Sequence, residues 1–167
     1  MKKILLVMMA VLCVASVSAQ GKFKDAVNTV TSQKWSVGLR ATYGVQVAAE
    51  CFYSDKAYLE GRLGIFNGAT ADFTVLHNWN CCNWDWTPSV GKWYLDAGVG
   101  GNIGGNAHCC YGGIVGQAKF GIKFNKVPIR LAIDYSPAIN IVGVYGGKAA
   151  LYTAGFYNGG LSATWCF

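Results

Sequence analysis
The sequence predicts an all-β fold, an eight-stranded antiparallel up-and-down barrel, and three observations predict it. From Trp35 onward, apolar and polar residues alternate with period two, the period of a half-buried strand. Compact turn signals break that alternation at Asp55-Lys56, Asn67-Gly68 and Asn125-Lys126. Charged residues make up 13% of the chain, against about 25% in an ordinary soluble domain. Such a surface is too poor in charge for a freely soluble protein, while the apolar content excludes disorder. The 167 residues suit one domain with a sizeable core.

Residues 1–19 read as a secretory signal peptide. Lys2 and Lys3 form the positive start, Ile4 to Ala15 the apolar stretch, and Val17-Ser18-Ala19 a cleavage site before Gln20. The apolar stretch is too short to span a bilayer comfortably, and no later segment holds the ~20 apolar residues of a transmembrane helix. Without Lys2 and Lys3 the net charge of +6 falls to +4, scattered along the chain. That excludes a basic arm for nucleic acid. Residues 20–34 read as a short polar periplasmic lead.

Eight strands follow within a barrel over 35–167, at about 35–42, 45–53, 57–66, 70–78, 92–101, 113–124, 127–136 and 155–167. The alternation runs unbroken through Tyr43-Gly44, so strands one and two also read as one long strand. Seven strands would then result, whereas bacterial single-chain membrane barrels use even numbers.

Sorting each strand by parity separates two faces. One carries Val37, Leu39, Val47, Leu63, Ile65, Phe73, Val99, Ile114, Phe120, Leu131, Ile133 and Leu161, with no charge. The other carries Arg40, Glu50, Glu60, Arg62, Asp72, Asp96, Lys119, Lys123, Arg130 and Asp134, five of each sign, with Gln46 and Gln117. Two architectures fit: a soluble lipocalin-like barrel with the apolar face inside, and a membrane barrel with it outside. Three features favour the membrane. Charges that sum to zero suit an enclosed network of ion pairs, since unpaired buried charge is costly. A soluble surface would carry a net sign. Trp35, Tyr43, Tyr53, Trp93, Phe124, Tyr135, Tyr157, Trp165 and Phe167 lie near strand ends, as in interfacial aromatic girdles.

The C-terminal run Leu161-x-Ala163-x-Trp165-x-Phe167 resembles the terminal strand signature of Gram-negative outer-membrane proteins, with Trp165 and Phe167 as the assembly signal. With the leader and eight strands, residues 35–167 resemble the small eight-stranded outer-membrane barrel family, the type of OmpX and the OmpA transmembrane domain. Gly38-Leu39-Arg40, Leu59-Glu60-Gly61, Lys92-Trp93-Tyr94 and Ile133-Asp134-Tyr135-Ser136-Pro137 look like a barrel-only subgroup. The resemblance implies an outer-membrane location and a barrel without an open pore. It implies outer-membrane lipid and the barrel-assembly machinery as partners, and a structural or surface-interaction role. It implies no reaction, cofactor or appended peptidoglycan-binding domain.

Candidates for chemistry are sparse, and the expectation is a non-enzymatic chain. The alternative of a barrel enzyme acting on outer-membrane lipid needs a rim cluster such as His with Ser. His77 and His108 read instead as ordinary interface or loop residues. Gly98 to Gly105 lacks the following helix of a phosphate loop. Cys51, Cys81, Cys82, Cys109, Cys110 and Cys166 lack usual zinc spacing. The Cys81-Cys82 and Cys109-Cys110 pairs are placed in loops at opposite barrel ends, too far apart to bridge. Any surface partner is expected at the outer loops, chiefly Ser136 to Gly155. There, Ala138 to Tyr145 is apolar enough to form either a ribbon turning at Gly146-Gly147 or a lid over the barrel mouth.

Overall fold
A computed structural model describes residues 34–66, 70–144, 150–152 and 157–167. The expected leader and residues 20–33 of the lead lie outside them, as do Gly146-Gly147 and Asn67-Gly68. Ten strand segments run in order: β1 (Trp35–Ala41), β2 (Gly44–Ser54), β3 (Ala57–Phe66), β4 (Thr70–Thr87), β5 (Gly91–Gly105), β6 (Cys109–Phe124), β7 (Ile129–Tyr135), β8 (Ala138–Val144), β9 (Ala150–Tyr152) and β10 (Gly159–Cys166). β6 pairs with β7 from Lys123↔Arg130 to Ala118↔Tyr135, and with β8 from Val115↔Ala138 to Cys109↔Val144. β7 and β8 are therefore one stave interrupted at Ser136-Pro137, and β9 and β10 make the last stave. β1 pairs with β10, so eight antiparallel staves close into a barrel.

Local chemistry sets the turns. Thr42 and Tyr43 separate β1 from β2, with the Thr42 N–H donating to the Gly44 carbonyl, so the first two strands are distinct. Pro88 cannot donate to a ladder, and β4 turns into β5 there, with the Val90 N–H donating to Thr87. The Asn106 side chain accepts from the His108 and Cys109 N–H groups at 2.8 and 3.0 Å, an Asx turn that reverses β5 into β6.

A row of cross-strand partners runs Leu131, Ala163, Leu39, Val47, Leu63, Phe73, Ile103, Gly112, Ile141. It leaves the seventh stave at residue 131 and returns to it at 141, a shear of ten residues. With about 3.3 Å per residue and about 4.8 Å between strands, this tilts the staves by about 41° at a backbone radius of about 8 Å. The lower end carries Trp35 and Phe167, whose backbones bond to each other, and the upper end the β5–β6 turn.

Three expectations are corrected. β4 and β5 extend beyond 70–78 and 92–101, and β6 begins at Cys109, so both Cys pairs sit on strands rather than in loops. The register of β4 slips between Asn80 and Cys82 and between Trp84 and Thr87; these bulges hide the strand by breaking its alternation. The segment from Ser136 is not an outer loop. Ser136 is buried, and β8 continues the barrel wall, paired to β6 and β9, with Ile139 and Ile141 on its outer face. Tyr135, expected near a strand end, therefore lies inside a stave. Deleting residues 139–151 removes the upper half of this wall, and we expect the chain to lose the heat-modifiable gel mobility of a closed barrel. A deletion variant that folds with wild-type mobility and urea midpoint would show that β8 is dispensable.

Candidate functional site
The notable chemistry lies inside the barrel. Parity turns the charged face inward: Arg40, Glu50, Glu60, Arg62, Asp72, Asp96, Lys119, Arg130 and Asp134 are all buried. Long polar side chains can fill so narrow a lumen only where neighbours are small. Gly160 is such a place, since a Cβ there would lie 2.9 Å from the Arg40 guanidinium.

Six charges form a chain of alternating sign. Arg62 Nε donates to Glu60 Oε1 at 2.8 Å. Lys119 Nζ bridges Glu60 Oε2 and Glu50 Oε1, each at 2.8 Å. Arg130 then joins Glu50 Oε2 at 2.8 Å to Asp96 Oδ2 at 3.1 Å. Neutral donors fill the remaining carboxylate positions: Ser36 on Glu50, Asn78 on Glu60, and Tyr58 and Asn80 on Asp96. The Arg130 guanidinium also lies 4.3 Å from the centre of the Tyr94 ring and 5.0 Å from that of Phe52, adding cation–π attraction.

A second unit sits above. Arg40 grips Asp134 through Nε at 2.8 Å and Nη2 at 2.6 Å, and donates to Gln46 at 2.9 Å. Ser136 links the units, accepting from Arg62 at 3.0 Å and donating to Asp134 at 3.2 Å. Leu76, Val115 and Ala138 pack together in the lumen. The buried barrel is thus packed with side chains, as an eight-stranded interior allows.

Two of the ten predicted residues lie outside the ion-paired set. Asp72 is buried but held by neutral donors, Gln46 at 3.2 Å, Thr74 at 2.8 Å and Tyr111 at 2.9 Å. Lys123 faces inward yet sits half-buried at the lower mouth. Sequence reading passed over Ser36, Tyr58, Asn78, Tyr94 and Ser136, although inward parity marks them too. The assembly-signal residue Phe167 is exposed at the lower end, and Trp165 pairs with Val37 and Ile129.

His77 lies on the outer face, hydrogen-bonded to Tyr53 and edge-on to Trp79. His108 is exposed in the β5–β6 turn. Cys51, Cys81, Cys82, Cys109 and Cys166 carry free thiols. No family model, curated protein or solved structure matches the chain.

Proposed function
We propose that this chain is an integral outer-membrane β-barrel with a side-chain-filled interior, exported by its leader, with a structural or surface-interaction role and no catalytic one. The observation that carries this reading is the inverted distribution of polarity. Charged groups are buried, whereas Leu63, Ile65, Ile103, Ile114, Ile133, Ile141 and Leu161 are each more than half exposed. A lipocalin-like soluble barrel would need the reverse. Leu131 and Ile141 face outward ten residues apart on one stave. At the tilt above they span about 25 Å of height, the height of a lipid-facing apolar band.

Aromatics support the same reading. Trp84 stacks on Trp86 at 5.3 Å and Trp93 on Phe120 at 5.4 Å at the lower end, where Trp35, Tyr53 and Phe167 are exposed. Tyr43 and Tyr157 are exposed near the other end. Such belts suit two membrane interfaces. By this reading lipid covers the apolar wall, the assembly machinery takes the terminal strand, and the lower end faces the periplasm. The short upper turns are where a surface partner would bind.

Fractionation of the envelope tests the proposal. The chain should remain in the outer-membrane fraction after carbonate washing, and should shift in gel mobility when boiled. In planar bilayers it should give no steady conductance of porin size, because the lumen is filled. Recovery in the aqueous fraction without detergent would overturn it.

A further inference from the structure
Lys123 departs from the buried network, and its surroundings give the departure a purpose. In the pairing register Lys92 lies directly opposite Lys123, and Lys123 directly opposite Arg130. All three share the inward parity of β5, β6 and β7. Like charges directly opposite each other across a sheet are destabilising, so the row needs compensation. Among the described residues the fold supplies it for Arg130 alone, through Glu50 and Asp96. Asp96 is already engaged by that arginine: Oδ2 takes Arg130 and Tyr58, and Oδ1 takes Asn80.

The row opens onto a cavity of about 480 Å³ at the lower mouth, lined by Lys92, Lys123, Arg130, Tyr58, Tyr94 and Asn83 among others. Asp55 and Lys56 also line it and balance each other. With Arg130 and Asp96 paired, two lysines remain in excess. Among the described residues at this end outside the cavity, Lys34 and Lys126 outnumber Asp85. A concave site with an excess of one sign of charge focuses the field and gathers oppositely charged ligands.

We propose that this vestibule is a binding site for a phosphomonoester. A phosphoryl group carries close to two negative charges near pH 7, matching the two excess cations. Its oxygens accept from ammonium donors in charge-assisted hydrogen bonds. A cavity of this size lies within the range of small-molecule sites and leaves room for the group that carries the phosphate. The tyrosine rings and Phe52 provide its walls. The phosphoryl group comes either from a soluble metabolite or from a lipid headgroup at the mouth. The inference uses the closed barrel; of its two sources only the lipid headgroup rests on the membrane reading.

The full chain, folded in non-ionic detergent, is titrated calorimetrically with glycerol 3-phosphate and, separately, with dihexanoyl phosphatidic acid. Saturable binding is expected with at least one probe. The soluble probe alone assigns a metabolite; the lipid alone assigns a headgroup. The Lys92→Gln/Lys123→Gln variant should weaken binding roughly tenfold or more, as expected when two charge-assisted contacts are lost. Lys126→Gln, at an exposed turn outside the cavity, should leave it unchanged. If the double variant loses its heat-modifiable mobility, the exposed Lys92→Gln alone carries the comparison and should still weaken binding. No saturable binding of either probe, or equal weakening by Lys126→Gln, would overturn the proposal.

Discussion

Lys119→Met is expected to lower the unfolding free energy of the barrel by about 3–5 kcal/mol, the range found when one partner of a buried ion pair is removed. Lys119 is 1% exposed, and its ammonium bridges Glu50 and Glu60. Those two carboxylates stand directly opposite each other across β2 and β3. With the ammonium gone, each keeps one arginine, but two like charges face each other where water does not reach. Methionine matches the length of the lysine stem, so loss of packing contributes little. Urea unfolding in lipid vesicles, followed by tryptophan fluorescence, measures the effect. Glu60→Gln in the Lys119→Met background should recover part of the loss, because it removes the repulsion. A loss below about 1 kcal/mol is the value of a solvated pair and would mean that water screens the interior.

The sequence shows which way a side chain faces more readily than how deep it lies. Alternation places Arg40, Glu60 and Asp134 inside, and Leu63 and Ile133 outside, because one residue of slip would reverse every side chain. Height along the axis depends on the shear, which arises from eight pairings at once and leaves no local trace. Lys119 and Lys123 have the same parity on β6, yet four residues of descent separate a buried bridge from a half-buried cation at the mouth. Bulges conceal the ends of β4 for a different reason: the extra residues shift the phase of the alternation near Cys82 and Asp85. Pro137 conceals β8. It lacks an N–H and reads as a stop, yet Gly116 donates to its carbonyl at 2.8 Å, which carries the pairing past it. The alternation of Ile139 and Ile141 about Asn140 is present in the sequence and marks the wall resuming.

Placing an arginine on the outer wall should cost in proportion to its depth. Leu63 is 61% exposed and lies midway along the row of pairs that climbs from Leu131 to Ile141. Leu63→Arg should therefore destabilise the barrel in lipid vesicles by about 2–4 kcal/mol, the cost of arginine near the bilayer midplane. Val127, also exposed, sits in the turn between β6 and β7 at the lower end. There Val127→Arg should cost about 0–1 kcal/mol, because the side chain reaches the interface. Neither position packs against the lumen, so the two variants differ in what surrounds them rather than in what they support. On a water-facing surface both substitutions would fall within about 0.5 kcal/mol of neutral. Equal, near-zero costs in urea titrations of the two variants would place the outer wall in water, and the apolar band would then need a protein partner rather than lipid to cover it.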